Sequence, residues 1–276
     1  MSSILHRYSL RITALVALGA ASLAPAASLG AQTALGTAQP FGVLGSSTVT
    51  NTGPTTVVGN LGVSPGSALT TTGGLIVTGT TNVGDAVAAQ AQHDAALAYG
   101  VFAGLPFTTN LTGMDLGGMT LNPGVYLFES SAQLTGNLFL NFLGDPDAQF
   151  VFRIGSTLTT ASSSAVLGLD GLFGPNVFFQ VGSSATLGTT TAFRGSILAN
   201  QTVTLTTGAT ITCGRAIALN GAVTMDHNVV STICAAAEVP VTTTPEPATL
   251  ALLLAPLALA GLMTRHRTIA RELVAG

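Results

Sequence analysis

Three short segments constrain this chain more than anything else in it. Ala185-Thr186-Leu187, Val203-Thr204-Leu205 and Val223-Thr224-Met225 recur at intervals of 18 and 20 residues. Between them lie further short β-type runs: Ala192-Phe193, Ser196-Ile197-Leu198, Thr210-Ile211-Thr212 and Ala216-Ile217-Ala218. Gly, Asn and Thr-Gly corners separate these runs, so each repeat holds about three short strands. Three strands per turn of chain describe a coil of triangular section in which alternate residues point into a narrow core. Stacked coils bury a continuous ladder of Leu, Val, Ile and Phe and leave Thr and Ser outside.

Weaker copies occur earlier. Gly45-Ser46-Ser47-Thr48-Val49-Thr50 resembles Gly155-Ser156-Thr157-Leu158-Thr159 and Gly182-Ser183-Ser184-Ala185-Thr186-Leu187. Strands are also predicted at Asn60-Leu61-Gly62-Val63, Val125-Tyr126-Leu127-Phe128, Leu138-Phe139-Leu140 and Phe150-Val151-Phe152-Arg153-Ile154. One segment breaks the pattern. Asp85 to Phe102 is alanine-rich and predicts a helix, with Asp85 placed to suit the positive end of its dipole. Val87, Ala91, Ala95 and Ala98 are expected on one face of it. That helix is expected to lie along one side of the solenoid and remove the side from any binding role.

Both ends read as address labels. Residues 1–31 have a basic start (His6, Arg7, Arg11), an apolar run from Ile12 to Leu23 and then small residues, the order of a secretory signal peptide. The alternative, an N-terminal membrane anchor, needs an apolar run of about 20 residues, which this segment lacks. Residues 32–238 form the expected folded domain, and 239–247 a stiff linker containing Pro245, Glu246 and Pro247. An apolar segment over 248–263 and a basic tail over 264–276, with Arg265, Arg267 and Arg271, read as an anchor with its basic end in the cytoplasm. These three parts in order resemble the PEP-CTERM sorting signal of Gram-negative bacteria. The resemblance implies signal peptidase and an exosortase-type membrane protease as partners, and a cell-surface or extracellular-matrix destination.

The charge balance excludes one class of partner. The chain has no lysine, and residues 32–244 carry only Arg153, Arg194 and Arg215 against nine acids. Nucleic acid is a poor partner for such a surface, because phosphate binding rests on basic side chains. Abundant β-branched residues argue against disorder. Cys213 and Cys234 leave two readings open: a disulfide contributing about 3 kcal/mol, or two buried thiols. His227 alone supplies too few ligands for a metal site there.

Longer blocks carry a second resemblance. They are Phe41-Gly42-Val43-Leu44-Gly45-Ser46-Ser47-Thr48-Val49-Thr50-Asn51-Thr52-Gly53-Pro54-Thr55, Gly59-Asn60-Leu61-Gly62-Val63-Ser64-Pro65-Gly66 and Leu121-Asn122-Pro123-Gly124-Val125-Tyr126. Gly144-Asp145-Pro146-Asp147-Ala148-Gln149-Phe150-Val151-Phe152 and Asn220-Gly221-Ala222-Val223-Thr224-Met225-Asp226 complete the set. Gly36 to Thr232 resembles the microbial ice-binding protein family. The resemblance implies a mainly β fold, a triangular discontinuous β-solenoid with one long α-helix packed alongside. It also implies binding to an ice crystal surface without catalysis or cofactor.

The family's ice-contacting pattern is Thr, then Ala or Gly, then any residue, then Thr or Asn. Thr52-Gly53-Pro54-Thr55 and Thr207-Gly208-Ala209-Thr210 fit it, and Thr160-Ala161-Ser162-Ser163 fits with serine last. Thr189-Thr190-Thr191 occupies the corresponding place but departs at its second position, and Asp226-His227-Asn228 is charged and bulkier. The resemblance thus points to Thr52, Thr55, Thr160, Ser163, Thr189, Thr191, Thr207 and Thr210. The alternative function is a structural or adhesive component of an extracellular polysaccharide matrix, motivated by the sorting signal. A polysaccharide-cleaving enzyme would need paired carboxylates. The nearest pair, Asp145 and Asp147, flanks Pro146 in an expected turn, and Asp226-His227 lacks a nucleophile motif.

Overall fold

The computed structural model describes residues 34–234. The expected signal segment, the linker with Pro245, Glu246 and Pro247, the apolar segment and the basic tail lie outside the described residues. Among the described residues no helix is long and apolar enough to cross a membrane.

Each coil gives one short strand to each of three faces, and every strand pair within the stack is parallel. One face is a seven-stranded sheet whose spatial order is Ala132–Leu134, Leu158–Thr160, Ala185–Leu187, Val203–Leu205, Val223–Met225, Thr48–Asn51 and Ala68–Thr71. The other two faces form a single fifteen-stranded sheet. They are joined because Ala192–Ala199 and Thr210–Ala218 run without a break around one corner. The register shifts there between Arg194 and Ser196, a bulge that turns each strand from one face to the next.

The order of coils in space differs from their order in the chain. Val43 pairs with Ala216, Val49 with Val223, and Thr56 with Val229. The N-terminal coils therefore stack on the last C-terminal coil and extend the solenoid beyond it. Helix α1 (Ala86–Gly104) then returns the chain to the far end, where Thr109 pairs with Tyr126. This is the discontinuity that the family resemblance implied.

The core follows from period-two alternation. In register along one wall stand Tyr126, Phe152, Phe179, Ile197, Ala216, Val43 and Leu61. The rings of Phe152 and Phe179 stack at 4.4 Å and 6°. Each Phe, Ile, Val or Leu of this row contributes about 1.5–3 kcal/mol by leaving water, and the parallel register stacks these side chains from coil to coil.

Asp85 caps α1 by accepting a hydrogen bond from the Ala88 amide at 2.8 Å. The buried stripe is Ala88, Ala91, Ala95, Ala98 and Phe102. It packs on Phe41, Leu44, Val151, Phe178, Leu198 and Ile217, so one face of the solenoid is covered as expected. Val87, expected on that stripe, is instead 54 % exposed. The i, i+3, i+4 row that meets the sheet starts one residue later. Methyl-sized contacts let the helix backbone sit close to the strands, and Phe102 stacks on Phe178 at 4.6 Å.

Cys213 and Cys234 form a disulfide, with Cα atoms 4.1 Å apart. Cys213 lies at the bulged corner in a left-handed conformation (φ 53°), and its amide donates to the Ile233 carbonyl at 3.2 Å.

Candidate functional site: a threonine face

With one face under α1, the described residues leave two faces open, and these differ in chemistry. The outward positions of the third face include Val58, Phe139, Leu167, Arg194 and Val229 alongside threonines, a mixture of shapes and polarity. The seven-stranded face is far more uniform. In four of its strands the central outward residue is flanked by buried apolar neighbours: Gln133, Thr186, Thr204 and Thr224 each stand between two such side chains. Parallel pairing aligns these centres. Gln133, Thr159, Thr186, Thr204, Thr224, Thr50 and Thr70 form one ladder, each beside the next. Six successive coils thus present threonine at the same point.

Two further columns flank this ladder. On one side, the Thr157 hydroxyl donates to Ser131 at 2.8 Å and that of Thr202 to Ser184 at 2.9 Å. On the other side, backbone bonds from Ala161 to Leu134, Thr206 to Leu187, Thr52 to Met225 and Thr72 to Asn51 continue the same register. That column contains Thr206, Thr52 and Thr72, with Ala161 among them. Stacked strands lie about 4.8 Å apart and same-face residues along a strand about 6.6 Å apart. The face is therefore a near-rectangular grid of methyl and hydroxyl groups on a rigid backbone.

Asp226 interrupts the grid. Its carboxylate accepts from the Thr207 hydroxyl at 2.5 Å and lies 2.7 Å from His227 Nδ1. These two contacts, the Thr207 hydroxyl first, hold the carboxyl below its ordinary pKa, so the residue is anionic at neutral pH. Gly53 packs against this pair. A Cβ at Gly53 would stand 2.0 Å from His227 Nδ1, which explains glycine in that corner.

The structure scatters the eight corner residues that the family pattern singled out. Thr52, Ser163, Thr189 and Thr207 are exposed, and Thr210 is half-buried on the third face beside Ala192 and Val229. Thr55, Thr160 and Thr191 are corrected: they are only 2 %, 3 % and 0 % exposed and point into the corner. Their hydroxyls satisfy buried polar groups there. Thr160 and Thr191 bond to each other at 2.8 Å, Thr160 accepts from the Gly188 amide, and Thr55 accepts from the Asn228 amide. The reason is phase. Thr160 follows the outward Thr159, whereas Thr52 follows the inward Asn51, so the same four-letter pattern starts on opposite sides of the wall. The family pattern does not include the central threonines, although Thr186, Thr204 and Thr224 are the middle residues of the repeat triplets.

Other constellations resolve into structure. Asp145 and Asp147 belong to a turn in which the Asp147 amide donates to Asp145 Oδ1 at 2.9 Å. Among the described residues no group of three or more His, Cys, Asp or Glu side chains is placed to hold a metal ion.

Residues 43–231 match the family described as Ice-binding-like. A protein of Nostoc sp. (strain HG1) named Ice-binding protein is 60 % identical over 200 residues, covering 72 % of this chain and 74 % of that one. Among solved structures, an ice binding protein from an Antarctic biological consortium is similar with a TM-score of 0.68 at 43 % identity, over 71 % of this chain and 89 % of that one. The ice-binding protein of the Antarctic ascomycete Antarctomyces psychrotrophicus gives a TM-score of 0.67 at 37 % identity, over 72 % and 98 %. With a family match across most of the described residues and solved members that share its coil stack, this chain belongs to the Ice-binding-like family.

Proposed function

We propose that this chain binds ice by adsorption through the seven-stranded threonine face, without turnover or cofactor. The observation that carries the reading is the ladder Thr159, Thr186, Thr204, Thr224, Thr50 and Thr70. Its spacings lie near the repeats of the ice lattice, so methyl groups can seat in surface voids while hydroxyls hold ordered water. β-branching already restricts each χ1, which keeps the entropic cost of adsorption low. The exposed corner residues Thr52, Ser163, Thr189 and Thr207 border this face and extend the contact. Purified protein is expected to inhibit ice recrystallisation, and a Thr204→Tyr variant of unchanged fold to lose that inhibition. Equal inhibition by parent and variant would sink the assignment of the face, and inactivity of the parent would sink ice binding itself.

We also infer that the chain is exported by residues 1–31 and held at the cell surface or in the matrix through its C-terminal signal. The order of Pro245-Glu246-Pro247, apolar segment and arginines supports this. Deleting residues 245–276 should release the protein from the cell envelope into the medium. The same tail supports a second reading, adhesion to an extracellular polysaccharide. That reading requires retention on the host's own polysaccharide together with unaffected ice growth.

A further inference from the structure

Arg215 is the one cation of the described residues that is almost fully buried, at 4 % exposure. It stands on the fifteen-stranded sheet in register with Ser196, under the segment that enters the first coil. Nε donates to the Gln39 carbonyl at 2.8 Å and Nη1 to Ser196 Oγ at 3.2 Å. Among the described residues Nη2 makes no hydrogen bond, and no carboxylate pairs with the guanidinium. Burial lowers its pKa only to about 10, so it remains charged at neutral pH. A buried cation without a counter-charge is costly, and such groups are ordinarily paired. A cleft of about 560 Å³ opens beside it, lined by Gln39, Pro40, Pro175, Arg215, Thr232 and Cys234.

We propose that this cleft is a carboxylate-binding site, with the carboxylate on the open edge of the Arg215 guanidinium. Two sources share that chemistry. One is the chain's own Glu238, four residues beyond Cys234. Cys234 lines the cleft and is pinned to Cys213 by the disulfide, and four residues span up to about 13 Å. The other is a soluble carboxylate, such as a uronate of an acidic polysaccharide. Either occupant is held on the fifteen-stranded sheet and leaves the threonine face uncovered, so tail or matrix attachment and adsorption are compatible.

Thermal unfolding of the full chain, with and without sodium acetate at about 0.1 M against equal sodium chloride, tests this. If Glu238 is the occupant, Glu238→Gln lowers the midpoint by about 4 °C, added acetate restores it, and the parent ignores acetate. If the occupant is soluble, acetate or galacturonate raises the parent's midpoint by a similar amount and Glu238→Gln changes nothing. In both cases Arg215→Lys, which keeps the charge but loses the bidentate fork, weakens or abolishes the response. Midpoints that respond neither to Glu238→Gln nor to carboxylate beyond the chloride control overturn the proposal, as does an acetate response that persists undiminished in Arg215→Lys.

Discussion

At the scale of single residues, threonine plays two parts that the same letter conceals. Outside, Thr204 contributes shape to a grid; inside, Thr191 contributes a hydroxyl that bonds Thr160 at 2.8 Å and the Ala161 carbonyl at 3.2 Å. The two parts separate experimentally. Thr204→Tyr should abolish inhibition of ice recrystallisation while stability stays within about 0.5 kcal/mol. Thr191→Val should cost about 1–3 kcal/mol of stability, because it strands buried polar groups, yet leave inhibition intact below its unfolding midpoint. Denaturant melts and recrystallisation assays on both variants decide this. The outward threonines were legible from alternation alone, since Val203 and Leu205 on either side of Thr204 fix its direction. The corner pattern was not a safe guide, because phase changes wherever the chain turns. A third residue marks such a turn. Thr190 sits at φ 57°, a conformation that β-branched residues rarely adopt, where the next coil has Gly208 at φ 72°. Thr190→Gly should therefore raise stability by about 0.5–1 kcal/mol, read as a higher denaturant midpoint.

At the scale of elements, the helix was visible because no other stretch of the described residues is so rich in alanine, and its cap was readable in Asp85. What composition did not show is how the helix is tied to the chain entering the solenoid. Asp94 does this. Its Oδ2 accepts from the Thr37 amide at 2.8 Å and the Thr37 hydroxyl at 2.7 Å, and its Oδ1 from Gln90 at 2.8 Å. The bonds from Thr37, foremost, bring its carboxyl down to about 2. The folded value lies below the unfolded one, so the unfolded chain holds the proton more tightly. The stabilisation is then fully present above about pH 4 and is lost as pH falls toward about 2. Asp94→Asn should reduce stability at neutral pH by about 1 kcal/mol or less, since the site is near the surface. It should also flatten the decline that the parent shows across that acid window. A decline of equal slope in the variant would assign the acid sensitivity to other carboxylates.

At the scale of the whole molecule, the repeat announced coils and their three-sided section but not the order in which they stack. Val49 pairs with Val223, a residue far along the chain on the other side of the helix, and no local pattern encodes that. The consequence is an interlocked stack in which residues 41–83 cover the edge of coil 215–231. A chain lacking residues 34–104 would expose that edge and, along the helix-bearing face, the apolar residues Val151, Phe178, Leu198 and Ile217. Exposed parallel edges invite pairing with other copies, so the truncated chain should aggregate where the parent stays monodisperse in light scattering. The disulfide acts at the opposite end of the described chain. It fastens Cys234 to the bulged corner at Cys213, a loop outside the threonine face, and constrains mainly the unfolded state. Reduction, or Cys213→Ser with Cys234→Ser, should lower stability by about 3 kcal/mol and the melting midpoint by about 6–12 °C. Ice recrystallisation inhibition near 0 °C should survive, because the grid of Thr159 through Thr70 is held by strand pairing that does not pass through either cysteine. Loss of inhibition in a reduced protein that is still folded at that temperature would mean that the corner at Cys213 sets the flatness of the threonine face as well as its lifetime.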